Sequence, residues 1–95
     1  VAERILQLGS TPESRFSVYL QTAEIKEADV VSCSKEALDL LLDYYKTLIA
    51  RERRIIEVAS DAHDDTTVSL VSDFLKEQEK TVWMLVAVSS QSCAE

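Results

Sequence analysis

The spacing of apolar residues predicts two long helices, of which the second is the clearer. Across residues 64–88 apolar side chains recur at three- and four-residue steps with no Gly or Pro, which places them on one face of a helix. The stripe consists of Val68, Val71, Leu75, Val82 and Leu85. Two acids and two threonines open the stretch, and such residues satisfy free amide groups at a helix start. We therefore expect a helix over residues 65–89.

A second apolar stripe precedes it and predicts a helix over residues 35–62. Its members are Leu38, Leu41, Tyr45, Leu48, Ile55, Ala59 and Ala62. Ser34 is the expected N-cap, and Glu36 lies in the first turn, where the helix dipole favours an acid. At about 28 residues this helix would span about 42 Å. Only a short turn separates the two helices, so we expect an antiparallel hairpin, with His63 as its left-handed residue.

The first third of the chain predicts shorter elements. Residues 1–8 have the pattern of a helix end, Gly9 is placed to be the left-handed residue after it, and Pro12 prevents continuation. A short helix is expected within residues 13–20. An acidic, irregular connection then leads to the first long helix. The chain is expected to form a single, partial domain over residues 1–95.

Composition limits the class of protein and its partners. A hydrophobic content of 46% favours a packed helical domain, and a net charge of −7 argues against nucleic acid, because phosphate binding needs clustered cations. No apolar run approaches the length of a membrane span. Two cysteines do not make a disulfide framework, so a reducing, cytoplasmic location is expected. Val1 opens without Met or a cap, which suggests a fragment, a processed chain or part of a longer protein.

Three segments together resemble one family. AERILQLGSTP at the start, ASDAHDDTT at the turn and EQEKTVWML near the end are similar to the second half of Dps-type mini-ferritins. The resemblance covers residues 1 to about 90. It implies an all-α, ferritin-like four-helix bundle, of which this chain supplies the end of helix B, a short crossover helix and the antiparallel helices C and D. Helix A and most of helix B would be absent.

The resemblance also implies a function and an assembly. Dps-type proteins form dodecameric shells that take up ferrous iron, oxidise it and store ferric mineral, and some bind DNA through basic termini, which this chain lacks. Glu3 matches one iron ligand of the family's ferroxidase site, which lies between subunits. The other ligands would lie upstream of Val1, so ferroxidase activity is expected of the full-length parent and no catalytic residue is expected within this chain.

Two further acids, Asp64 and Asp65, match the carboxylates that line the iron-entry pore in the family. Carboxylate oxygens suit hard cations. The alternative is that they only cap the turn between two helices. His63 could also serve as a metal ligand, although a turn role is favoured.

Several other residues have predicted structural roles. Glu52 and Gln78 fall on the apolar stripes, and a buried carboxylate needs a partner or a raised pKa, so a salt bridge from Arg4 or Lys80 is expected. The arginines of one segment should form a solvated face paired with acids: Arg51, Arg53 and Arg54. Trp83 and Met84 are expected in the core or at a subunit contact. Cys33 and Cys93 are expected near one end of the hairpin, unbonded.

A non-catalytic alternative stays open, in which the chain is a helical hairpin that pairs with helices of another chain as an assembly module. Under either hypothesis the two apolar stripes require covering. The residues predicted to be buried are Leu41, Leu48, Ile55, Val71, Leu75 and Val82.

Overall fold

The computed structural model describes residues 1–89, and every regular element within them is a helix. Helix α1 spans Ala2–Gln7, α2 spans Phe16–Thr22, α3 spans Ser34–Asp61 and α4 spans Asp65–Ser89. No strand occurs in residues 1–89. The long helices lie within one residue of the ranges predicted from apolar spacing, whereas the short helix begins and ends later than predicted. The all-α prediction is confirmed.

The turn between α3 and α4 is closed by backbone hydrogen bonds. His63 has φ +57°, and its N–H donates to the Ser60 carbonyl at 3.0 Å, while the Asp64 N–H donates to the Ala59 carbonyl at 2.8 Å. This pair of bonds is a Schellman motif with His63 as its left-handed residue. The predicted role of His63 in the turn is confirmed.

Helix α1 ends in the same way. Gly9 has φ +89°, its N–H donates to Leu6, and the Ser10 N–H donates to Ile5 at 3.1 Å. Glycine adopts this conformation without a steric cost, so the predicted position of Gly9 after the helix is confirmed.

The start of α3 differs from the prediction. Ser34 is the first helical residue, Cys33 holds the N-cap position, and no side chain caps the helix. The helix gains one residue because the Cys33 carbonyl already accepts the Ala37 N–H at 3.1 Å. Cys33 is disulfide-bonded, so the prediction of an unbonded thiol is wrong for that residue. Cys93 lies outside the described residues.

The contact between α3 and α4 forms a thin core. Ala59 and Val71 are the buried apolar residues near the turn, and Glu52 is buried two helical turns further along α3. A small residue such as Ala59 lets two helices approach closely at their contact. No helix within residues 1–89 is long and apolar enough to cross a membrane.

The prediction of burial is wrong for three of the six residues that it named. Leu41, Leu48 and Ile55 are 43%, 42% and 45% exposed. Leu75 and Val82 are half-buried, and Val71 is buried as predicted. Two helices can cover only the sides that face each other, so one side of the α3 stripe remains open within the described chain.

Candidate functional site

Glu3 is an exposed residue in the first turn of α1. The next residue, Arg4, is held against the start of α4. Because successive helical residues are rotated by about 100°, the Glu3 side chain leaves α1 in a different direction from Arg4. The carboxylate is therefore accessible to a ligand or to another chain, which is what the predicted iron ligand requires.

Asp64 is the centre of a polar cluster that joins α1 to α4. Its Oδ1 accepts hydrogen bonds from Arg4 Nη2 at 2.8 Å and from the Thr67 N–H at 3.2 Å. Its Oδ2 accepts from the Thr67 hydroxyl at 2.5 Å, and Arg4 Nε donates to Thr67 Oγ1 at 2.9 Å. The contact with the Thr67 amide makes Asp64 the N-cap of α4.

The cluster also sets the charge state of Asp64. Hydrogen bonds from the Thr67 side chain and backbone lower its pKa, and the Arg4 guanidinium lowers it further. Both carboxylate oxygens are already used by the protein. The geometry therefore matches the capping alternative for Asp64, and a cation would have to compete with Arg4 and Thr67 for these oxygens.

Asp65 differs from its neighbour. It is the first residue of α4 and is exposed, as are Asp61 and His63 on the other side of the turn. Within residues 1–89 no group of three or more His, Cys, Asp or Glu side chains is arranged to hold a metal ion. Of the two acids predicted to line a pore, Asp65 is the one whose carboxylate is open to solvent.

Glu52 and Gln78 form a buried polar pair between the long helices. Burial raises the pKa of Glu52, and a hydrogen bond from the Gln78 side chain partly offsets that rise. The predicted salt bridge is wrong: Arg4 is engaged by Asp64, and none of the ion pairs within residues 1–89 includes Lys80. The amide of Gln78 lies nearer than either cation.

The arginine segment of α3 forms the expected solvated face. Arg51 pairs with Glu24. Arg54 pairs with Glu57 at 3.0 Å, and Arg53 lies 4.0 Å from Glu79. Exposed pairs of this kind contribute little to stability, and their acids cancel the local positive charge. Trp83 and Met84 are exposed, so the core alternative for them is wrong and a subunit contact stays a prediction.

A family model for the ferritin-like domain matches residues 1–91. The chain is 50% identical over 91 residues to a DNA protection during starvation protein of Porphyromonas gingivalis, covering 96% of this chain and 57% of the relative. It is 47% identical over 93 residues to an uncharacterised protein of Haemophilus influenzae, covering 98% of this chain and 58% of the relative. The chain thus spans little more than half of these relatives.

Solved structures of Dps proteins have the same fold as this chain. The chain superposes with a TM-score of 0.86 and 42% identity on the Dps protein of Vibrio cholerae O1, covering 90% of this chain and 54% of that one. That protein is described as a member of the ferritin-like diiron-carboxylate superfamily. A Dps of Staphylococcus aureus gives a TM-score of 0.88 at 24% identity, which bears on the fold alone.

Proposed function

Because this chain belongs to the ferritin-like domain family and has Dps proteins as its relatives, we propose that it is part of a mini-ferritin subunit that takes up ferrous iron, oxidises it and stores the ferric mineral. One observation carries the proposal. The match extends over nearly the whole chain and includes the segment in which Glu3 is exposed.

In the proposed mechanism iron is the substrate and Glu3 supplies one of its ligands. An ionised carboxylate is a hard oxygen donor that lowers the charge of a bound ferrous ion and stabilises the ferric product. Each ferrous ion gives one electron to an oxidant of the dioxygen or peroxide class, and hydrolysis of the ferric ion releases protons. The remaining ligands come from residues outside this chain, so the ferroxidase activity is that of the assembled protein.

Iron reaches the interior of the shell, in this proposal, past Asp65 and not past Asp64. Asp65 has an exposed carboxylate at the start of α4, where it can meet copies of itself around a symmetry axis. Asp64 has both oxygens committed to Arg4 and Thr67. Its role is to hold α1 and α4 in register beside the pore.

The proposed assembly is a dodecameric homo-oligomeric shell in the cytoplasm, and this location rests on the relatives alone, because the disulfide-bonded Cys33 removes the argument from cysteine usage. The exposed apolar side chains of α3 and α4 provide the surface for it. The relatives' printed name refers to DNA protection. With a net charge of −7, we propose that this chain contributes to such protection by removing iron and its oxidant, and not by binding DNA.

The test uses a fused chain, in which the part of the Porphyromonas gingivalis relative that our chain does not span is joined ahead of Val1. Ferrous iron is added without oxygen, an oxidant follows, and ferric absorbance is recorded. The fused chain should oxidise iron rapidly, and the 95-residue chain alone should bind iron weakly or not at all. Rapid oxidation by the 95-residue chain of verified mass would contradict the proposed division of the site.

Glu3→Gln in the fused chain tests the proposed ligand. It should slow oxidation by about tenfold or more, since even outer-shell partners of metal ligands contribute on that scale. Glu77→Gln, which neutralises an exposed acid on α4, is the matched control and should leave the rate unchanged. An unaltered rate in Glu3→Gln would remove Glu3 from the site.

The non-catalytic alternative is favoured by a different observation, the open apolar side of α3 at Leu41, Leu48 and Ile55. In this case the hairpin pairs with helices of another chain without oxidising iron. Light scattering separates the two functions: the fused chain should form a large shell if the first is correct and a small oligomer if the second is correct.

A further inference from the structure

A disulfide-bonded cysteine lies at the end of the hairpin opposite the turn, which we call the far end. Cys33 holds the N-cap position of α3, is half-buried and is disulfide-bonded. The sequence has one other cysteine, Cys93, which follows the last residue of α4 by four positions. A bond between the two cysteines would join the start of α3 to the chain that follows α4.

The lengths of the two long helices allow this bond. From the turn, α3 extends over 28 residues and α4 over 25. At about 1.5 Å per residue, α4 therefore ends about 4–5 Å short of the start of α3, and packed helices lie about 8–10 Å apart. Four residues can span about 13 Å, so the chain from Ser89 to Cys93 is long enough to cover both distances.

The bond would restrain a segment that the rest of the chain holds weakly. The connection between α2 and α3 is fastened at its beginning, where Glu24 pairs with Arg51 and the Tyr44 hydroxyl donates to the carbonyl of residue 26 at 3.5 Å. Within the described chain, residues 27–32 make no hydrogen bond or ion pair, and Val30 is 99% exposed. Cys33 is thus the place where a covalent bond would fasten the other end of the connection.

We propose that Cys33 and Cys93 are a redox-active pair, which hydrogen peroxide converts from two thiols to a disulfide that clamps the far end of the hairpin. Cys33 is accessible to such a small oxidant because it is only half-buried. The proposal goes beyond iron storage and does not depend on it, because the oxidant reacts with sulfur and not with iron.

The chemistry of the pair balances without a metal. One thiolate attacks a peroxide oxygen, the O–O bond breaks, and the products are a sulfenic acid and, after protonation, one water. The second thiol displaces the sulfenic oxygen as another water, and the S–S bond forms. The two sulfurs together lose two electrons, which the peroxide gains. A small thiol of the glutathione class reverses the change by thiol–disulfide exchange.

Thiol trapping tests the pair. The 95-residue chain is freed of metal with a chelator, reduced, treated with hydrogen peroxide, and then denatured with an alkylating agent for measurement of intact mass. The reduced chain should take up two alkyl groups. The oxidised chain should take up none, stay monomeric and lose two hydrogens, and peptide mapping should find Cys33 joined to Cys93. Reduced glutathione added to the folded chain should restore both thiols.

Thermal unfolding tests the clamp. The bond would close a loop of about 60 residues, so the unfolding midpoint of the oxidised chain should lie about 10 °C or more above that of the reduced chain. Cys93→Ser given the same treatments should show no such rise. It is a better control than Cys33→Ser, because a serine hydroxyl at the N-cap would itself stabilise α3.

Alkylation at the moment of lysis gives the state of the pair in cells, which should hold two thiols before peroxide exposure and the disulfide after it. Three results would overturn the proposal. The first is a covalent dimer joined through Cys33. The second is a bond that is complete in unstressed cells and resists glutathione in the folded chain, since it would then be permanent. The third is an equal unfolding midpoint for the oxidised and reduced chains.

Discussion

At the scale of single residues, Asp64 shows what can be predicted from neighbours along the chain and what cannot. Acids and threonines before an apolar stripe indicate a helix start, and Asp64 does cap α4 through Thr67. The ion pair with Arg4 joins residues 60 positions apart, and no local pattern encodes it. The Glu52–Gln78 pair was missed for the same reason: the stripe placed Glu52 inside, but the partner depends on the register of two helices.

Removing the Asp64 carboxylate should destabilise the chain. Asp64→Ala loses both the cap and the bond to Arg4, so the midpoint of thermal unfolding should fall by several degrees, as is usual for a lost helix cap. Asp65→Ala, which removes an exposed acid one residue later, should have a much smaller effect. Equal effects of the two substitutions would contradict the assignment of the cap.

The same substitution should change the pH dependence of stability. The pKa of Asp64 is lowered in the folded chain, so its contribution is present above the pKa of the unfolded state and is lost as pH falls through the folded pKa. Unfolding at a series of pH values should show wild type and Asp64→Ala converging below about pH 4, near the usual Asp pKa.

Glu52 should show the opposite dependence. Burial raises its pKa, so the folded chain binds more protons than the unfolded chain, and stability falls as pH rises from the usual Glu pKa of about 4.3 through the folded value. Glu52→Gln cannot ionise and should be more stable than wild type near neutral pH, with the gap closing in acid. Urea unfolding measures the gap, and Glu77→Gln, an exposed control, should show none.

At the scale of elements, the spacing of apolar residues predicted the long helices, because this spacing is a local property of the sequence. The same apolar residues then pack against the neighbouring helix. The position of the hairpin turn was also predictable, because helices commonly end with a residue in the left-handed conformation and His63 was placed for that role. The start of α3 was not, because Ser34 continues the helix backward by one residue. Short α2 was displaced by up to three residues, which is expected where the apolar pattern covers fewer than two turns.

Replacing His63 by Gly should stabilise the hairpin. The left-handed conformation of His63, φ +57°, costs about 1–2 kcal/mol for a residue with a Cβ, and the greater entropy of Gly in the unfolded chain offsets about 0.4–1 kcal/mol. A gain of up to ~1.6 kcal/mol should remain by these two principles. It should appear as a higher urea midpoint at unchanged slope, while His63→Val should lower the midpoint.

At the scale of the whole molecule, net charge and uncovered apolar surface bear on which partners the chain can bind. The net charge of −7 predicts no measurable binding of duplex DNA at physiological salt, because counterion release requires clustered cations. Fluorescence anisotropy with labelled DNA tests this in the 95-residue chain. A steep loss of binding with added salt in the 95-residue chain would show that its arginines act together and would contradict the prediction.

The sequence indicated which side chains form the stripes but not which of them this chain can cover by itself. Val71 on α4 is 7% exposed, whereas Leu48 on α3 is 42% exposed within the same hairpin. Burial of Leu48 and of the other exposed residues of the α3 stripe depends on helices outside the described chain. The spacing of one stripe does not show which of its members face the other long helix and which face those additional helices.

This difference yields a prediction that compares two substitutions in two contexts. Leu48→Ala should cost about 1 kcal/mol or less in the 95-residue chain, since much of its surface is still in water, but about 2–5 kcal/mol in the fused chain, where a helix covers the open side of α3 and truncation leaves a cavity. Val71→Ala should cost a similar amount in both contexts, because Val71 is already buried in the 95-residue chain. Urea unfolding of the four variants and their two parent chains gives the comparison, and a Leu48→Ala cost that stays small in the fused chain would mean that the open side of α3 stays uncovered after assembly.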